Sequence, residues 1–148
     1  MTYKSQLGQL GEDIACEYLV KNKYKIIGRN FRQKWGELDI IATAPDKTLV
    51  FAEVKTMTSS GDNGLKPEDQ LTQAKLKKLQ KTASLYAGHY PELVNDKRGW
   101  RIDLVAISVK NDSRLRPSFA EATAGKQGGQ GFGEPQENCD IKHYENIG

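Results

Sequence analysis

The sequence is poor in the residues that mark several protein classes. Its two cysteines, Cys16 and Cys139, stand at opposite ends of the chain without a partner pattern, so neither a disulfide framework nor a Cys-based zinc site is expected. Its two histidines, His89 and His143, have no second ligand at metal-binding spacing and read as surface residues. No apolar run approaches the ~20 residues that span a bilayer. The longest stretches, such as Leu49 to Ala52, have the length of strands. The opening Met1-Thr2-Tyr3-Lys4-Ser5-Gln6 lacks an apolar signal core, so a cytoplasmic protein with no membrane association is expected. There is no Gly-x-x-x-x-Gly-Lys-Ser/Thr loop, which argues against a nucleotide-hydrolysing P-loop enzyme. What remains is 148 residues with 37% hydrophobic content, enough for one core, and a net charge of +3 that permits a polyanionic partner without requiring one.

Charge and composition divide the chain near residue 110. Residues 1–110 hold 18 Lys and Arg against 13 Asp and Glu, a net +5, whereas residues 111–148 hold 4 against 6, a net −2. Five glycines and two prolines fall between Asn111 and Asp140 among scattered apolar residues. Such a stretch buries too little surface to offset its ordering entropy, and 111–140 is predicted to be a flexible, low-complexity insertion. Residues 141–148 are expected to return to the α/β domain of residues 1–110.

Within that domain the hydrophobic period alternates. At 100° per residue, Leu7, Gly8, Leu10, Gly11, Ile14, Ala15, Tyr18 and Leu19 fill an arc of about 180°, which predicts a helix over Ser5 to Asn22. Lys25 to Phe31, Gly36 to Thr43, Thr48 to Lys55 and Trp100 to Val109 read as strands, the middle two joined as an antiparallel hairpin by Ala44-Pro45-Asp46-Lys47. A second helix is expected from Pro67 to Tyr86, with Leu76, Leu79, Ala83 and Tyr86 on its apolar face and Lys77, Lys78 and Lys81 opposite. The turn-rich Ser59 to Gly64 precedes it. The order is α-β-β-β-α-β.

Two strands carry acids among apolar neighbours, which needs a reason because buried carboxylates are costly. Asp39 lies between Leu38 and Ile40, and Glu53 shares a face with Phe51 and Lys55. If paired residues sum to 92 in number, Asp39 faces Glu53 and Glu37 faces Lys55, with Cβ atoms about 5 Å apart. Two carboxylates that close share a proton or flank a cation. Oxygen ligands of this kind suit Mg²⁺ completed by water and phosphate oxygens, and Lys55 beside them would stabilise charge at a phosphate. Glu12 falls at about 200° on the first helix, at the edge of its apolar arc, where it can face the sheet, and Gly8 and Gly11 would allow close approach to the strands. The same residues also fit an exposed ion-pair ladder worth roughly 0.2 to 1 kcal/mol per pair.

The ordered set Gly8-x-x-Gly11-Glu12-x-x-Ala15-x-x-Tyr18-Leu19, Asn30-Phe31-Arg32, Gly36-Glu37-Leu38-Asp39-Ile40-Ile41, Phe51-Ala52-Glu53-Val54-Lys55 and Arg101-Ile102-Asp103-Leu104-Val105 resembles the YraN-like family of small bacterial proteins. That family is part of the restriction-endonuclease-like PD-(D/E)XK superfamily. The resemblance implies an α/β fold with a mixed sheet flanked by helices. It also implies a Mg²⁺ (or Mn²⁺) site held by Asp39, Glu53 and the main-chain carbonyl of Val54, with Lys55 as catalytic lysine and Glu12 as an added acid. Asp103 matches a family position and is expected to be structural or to support the site. The chain departs from the family after Glu53-Val54-Lys55, where a further Arg is usual and Thr56-Met57-Thr58 stands instead, and in the length of 111–140.

The expected function is metal-dependent hydrolysis of DNA phosphodiester bonds, selective for branched or single-stranded forms in recombination or repair. Arg29, Arg32, Lys34, Lys75 and Lys78 would hold phosphates, and Trp35 would either stack on an unpaired base or pack. The alternative is a non-catalytic nucleic-acid-binding or protein adaptor that keeps the fold. The oligomeric state is not readable from the sequence.

Overall fold

The computed structural model describes residues 2–58, 67–110 and 139–148. The side chain of Thr2 accepts the Ser5 N–H at 3.1 Å and opens α1, Tyr3–Lys21. Lys23, at φ 70°, ends the helix, and the Tyr24 N–H returns to the Leu19 carbonyl at 2.9 Å. Three strands follow: β1, Lys25–Gln33; β2, Gly36–Thr43; and β3, Leu49–Thr58. After α2, Gln73–His89, come β4, Trp100–Val109, and β5, Cys139–Tyr144. The sheet order is β1-β2-β3-β4-β5. All neighbours are antiparallel except β3 and β4, whose parallel pairing requires a crossover that α2 supplies.

Alternation along the strands divides the core into two layers. Val50, Ala52, Val105 and Ile107 face α1 and pack with Ile14, Ala15 and Leu19. Leu49, Phe51 and Ile102 face α2 and pack with Leu79, Ala83 and Tyr86. The result is the expected α/β architecture, a mixed sheet with a helix on each face, extended by a fifth strand. Among the described residues no helix is long and apolar enough to cross a membrane.

Several expectations are corrected. The second helix starts at Gln73, not Pro67: the Thr72 side chain caps it by accepting the Lys75 N–H at 3.2 Å, and Pro67–Gln70 form a separate 3₁₀ turn. Gly11 does permit close approach, because a Cβ there would lie 1.8 Å from Thr56 Oγ1, but one at Gly8 would meet nothing. His143 is no surface residue: its side chain is 8% exposed and its Nε2 lies 2.8 Å from Asp103 Oδ2. Residues 111–138 of the proposed insertion, and the turn-rich Ser59 to Gly64, lie outside the described residues.

Candidate active site

β2 and β3 pair from Thr43↔Leu49 to Ile40↔Ala52, the register in which paired numbers sum to 92. Beyond Ala52 the ladder stops, and the Asp39 carboxylate takes over by accepting the Val54 N–H at 2.9 Å. The neighbouring strand is irregular at the same level. Asn30 adopts φ 52° between the pairs Arg29↔Ile40 and Phe31↔Leu38. Leu38 and Ile40, two residues apart, consequently pack on opposite faces of the sheet. The β2–β3 hairpin therefore opens at Asp39 and Glu53, and the two carboxylates face each other across the opening.

Glu53 and Lys55 are 18% and 19% exposed in their side chains, with Nζ 4.0 Å from Glu53 Oε2. Burial, a hydrogen bond with Asp39 and the Asp39 charge push the Glu53 carboxyl up to about 9, against the opposing pull of Lys55 and Lys75. The two carboxyls therefore lie within hydrogen-bonding reach of each other. Glu12 closes the site from α1. Burial and the Asp39 charge raise its carboxyl as well, while Arg29 and Asn30 counteract. With its amide nitrogen turned to the acid, Asn30 donates to both Glu12 oxygens at 2.9 and 3.0 Å.

These residues line a cleft of about 630 Å³ that includes Glu12, Asn30, Arg32, Asp39, Glu53, Val54, Lys55 and Thr56. A second hollow of about 470 Å³ shares Glu37 and Glu53 with it and is walled by Lys34, Trp35, Lys75 and Lys78. The structure therefore brings together Glu12, Asp39, Glu53, Val54 and Lys55, flanked by Arg32, Lys34, Lys75 and Lys78. Arg29 lines neither cavity; its guanidinium is 2.7 Å from Asp13. Glu37 pairs with Arg32 at 3.7 Å rather than with Lys55, because the strands have parted before reaching that level. Asp103 sits apart from the cleft, fully buried, bonded to Arg101, His143 and the Asn146 N–H.

Sequence reasoning missed Asn30 as a site residue. Its signal is faint: an Asn within a strand pattern, one of the few residue types that tolerate a left-handed conformation.

Among the described residues no three His, Cys, Asp or Glu side chains form a metal-binding group. A cation here would take two carboxylates and complete its shell from main chain, water and substrate, which is how Mg²⁺ is commonly held. The donor set fits such an ion: it is all oxygen, and a divalent cation would relieve the repulsion between the Asp39 and Glu53 carboxylates.

A mixed sheet between helices, with paired acids and a lysine where two strands part, defines a restriction-endonuclease-like α/β protein. A model described as "Uncharacterised protein family UPF0102" matches residues 11–107. A UPF0102 protein of Mycobacterium ulcerans (strain Agy99) is 38% identical over 110 residues, covering 72% of this chain and 84% of its own. A UPF0102 protein of Mycobacterium tuberculosis (strain ATCC 25618 / H37Rv) is 38% identical over 115 residues, covering 74% and 84%. The chain belongs to the UPF0102, or YraN-like, family, within the restriction-endonuclease-like superfamily.

Proposed function

We propose that this chain is a cytoplasmic, divalent-metal-dependent nuclease that hydrolyses DNA phosphodiester bonds, selective for branched or single-stranded forms in recombination or repair. The observation that carries the reading is the pair Asp39 and Glu53, close enough to share a proton at the opening of the β2–β3 hairpin, with Lys55 4.0 Å from Glu53. Two carboxyls this close are costly to ionise together unless a cation lies between them, an arrangement that a surface ion-pair ladder does not call for. Asp39, Glu53 and the Val54 carbonyl would hold Mg²⁺ or Mn²⁺. When bound, the ion supplies charge that polarises the phosphate and acidifies a water.

The chain's own residues do the rest. Asp39 keeps its place by accepting the Val54 N–H, which ties the two strands at the point of divergence. The Lys55 ammonium, 4.0 Å from Glu53, would stabilise negative charge developing on the phosphate. Glu12, held by Asn30, stands at the cleft wall with its carboxyl raised, placed to take up a proton. Arg32, Lys34, Lys75 and Lys78 hold flanking phosphates by charge, a sequence-independent and salt-sensitive interaction.

The test is titration of the protein with Mg²⁺ and Mn²⁺, beside cleavage assays on branched, single-stranded and duplex DNA. Glu53→Ala and Asp39→Ala are expected to fold, to lose metal binding and to lose cleavage. Lys55→Ala is expected to keep metal binding and to lose at least about a hundredfold in rate. Absence of metal binding by the intact protein at millimolar concentrations would overturn the reading in favour of a non-catalytic adaptor.

A further inference from the structure

The second hollow is not needed to bind a metal, yet it opens directly beside Glu53. One wall is the β1–β2 turn, Gln33 to Glu37; the other is the first half of α2, with Lys75, Lys78, Leu79 and Thr82. The walls are fixed against each other. A Cβ on Gly36 would lie 2.0 Å from Thr82 Oγ1, so glycine lets the turn sit directly on the helix. The Thr82 hydroxyl reaches the carbonyls of Lys78 at 2.9 Å and Trp35 at 3.4 Å. Trp35 is held as well: its indole stacks on His89, centroids 5.6 Å apart and 8° from parallel, and packs against Phe31 at 5.4 Å.

Trp35, Leu79 and three lysines line the hollow together with Gln33, Thr82 and the acids Glu37 and Glu53. Lys34 and Lys78 make no ion pair among the described residues, and Lys75 Nζ donates to the Gln70 carbonyl at 3.3 Å. A volume of about 470 Å³ is of small-ligand size, within the roughly 300–1,000 Å³ range of such sites. A DNA duplex offers such a concavity only its convex sugar-phosphate surface, which cannot fill a pocket or stack on an indole. An unpaired nucleotide offers a flat base for the ring and a phosphate for the lysines.

We propose that this hollow is a subsite for one unpaired nucleotide next to the scissile phosphate, so that the substrate is DNA single-stranded on one side of the cut. The proposal rests on the nuclease reading for the meaning of "next to the cut", but its test is a binding measurement made without metal. Trp100→Phe leaves Trp35 as the sole tryptophan. This protein, in EDTA, is titrated with an oligothymidylate, an abasic oligonucleotide of equal length and a blunt hairpin duplex.

Thymidylate is expected to change Trp35 fluorescence and to bind roughly five- to a hundredfold more tightly than the abasic strand, the range for stacking one base. The same comparison on the wild-type protein, by anisotropy of labelled oligonucleotides, guards against damage from the Trp100 change. Equal affinity for the abasic strand, with Trp35 fluorescence unmoved, would overturn the subsite even if the protein cleaves DNA. Base-dependent binding at Trp35 without cleavage in Mg²⁺ would uphold the subsite while refuting the nuclease.

Discussion

Glu53 sets a pH dependence opposite in sign to that of an ordinary surface acid. Burial, then the hydrogen bond and charge of Asp39, raise its carboxyl from 4.5 to about 9 in the fold. The folded state therefore binds more protons than the unfolded chain between those values, and metal-free stability falls as pH rises through that window. Glu53→Gln removes the charge but keeps a side-chain N–H to donate to Asp39. The expected outcome is that the variant matches or exceeds wild type in Tm at pH 8, loses the downward slope between pH 5 and 9, and gains no Tm from added Mg²⁺. Thermal melts across pH, with and without the ion, check all three. A wild-type curve that rises over the same window would show that Glu53 is ionised in the fold. Asp103 has the reverse sign. Burial pushes its carboxyl up, but bonds from His143, Arg101 and the Asn146 N–H outweigh that and hold it below 3.8. Its contribution is present above pH 3.8 and is lost as pH falls through the folded value. Replacing it with Ala takes the fully buried acceptor from Arg101, His143 and the Asn146 N–H, leaving Arg101 only the more exposed Glu145 at 3.6 Å as a carboxylate partner, and is expected to cost about 3 kcal/mol or more, read by urea melts at pH 7.

The packing of α1 against β3 rests on one glycine of two. At Gly11 an added Cβ would strike Thr56, whose short β-branched side chain has no flexible end to move aside. Gly11→Ala is expected to destabilise by about 1–3 kcal/mol and to displace Glu12, the next residue, from the cleft. Gly8→Ala meets nothing and is expected to stabilise by up to about 1 kcal/mol through helix propensity alone. Denaturant melts of the two variants give opposite signs if α1 docks as described. Elements such as these were legible where local pattern decides. β2 and β4 begin and end at the residues that alternation and apolar runs indicated, and the hairpin register followed from the loop length. The start of α2 was misread because Pro67, Glu68 and Asp69 carry helix-start chemistry as strongly as the real cap, Thr72. Within the site, Asp39, Glu53 and Lys55 were legible as polar residues out of place in apolar strands. Asn30 was not, since its role depends on a left-handed backbone that only the tertiary fold imposes. His143 was hidden for a related reason: its partner stands 40 residues earlier on another strand, a separation that carries no periodic signal.

Across the whole molecule, the sheet is completed from the far end of the chain. β5 pairs with β4 from Val109↔Cys139 to Leu104↔Tyr144, and the Ile147 N–H then reaches the Ile102 carbonyl at 2.8 Å. This pairing carries His143 onto buried Asp103, sets the Asn146 N–H 2.9 Å from the same carboxylate and brings the Tyr18 hydroxyl to His143 Nδ1 at 3.2 Å. Arg101 joins the group through Asp103 and donates to the Tyr24 hydroxyl at 2.9 Å. Helix α1, the β1 entry, β4 and β5 thus meet in one polar network on the α1 side of the sheet, while the cleft lies where β2 and β3 part. Removing residues 139–148 would strip two hydrogen-bond donors from a fully buried carboxylate and leave the apolar strand β4 as an open edge. A chain ending at Lys110 would keep every residue of the cleft, so a site independent of the C-terminal segment would survive truncation. The expected outcome is the opposite: the shortened protein loses its cooperative thermal transition and binds 1-anilinonaphthalene-8-sulfonate, and metal binding disappears with the fold. Retention of the full-length Tm would mean that the Asp103 network adds nothing to global stability, and that the first 110 residues suffice to build the cleft.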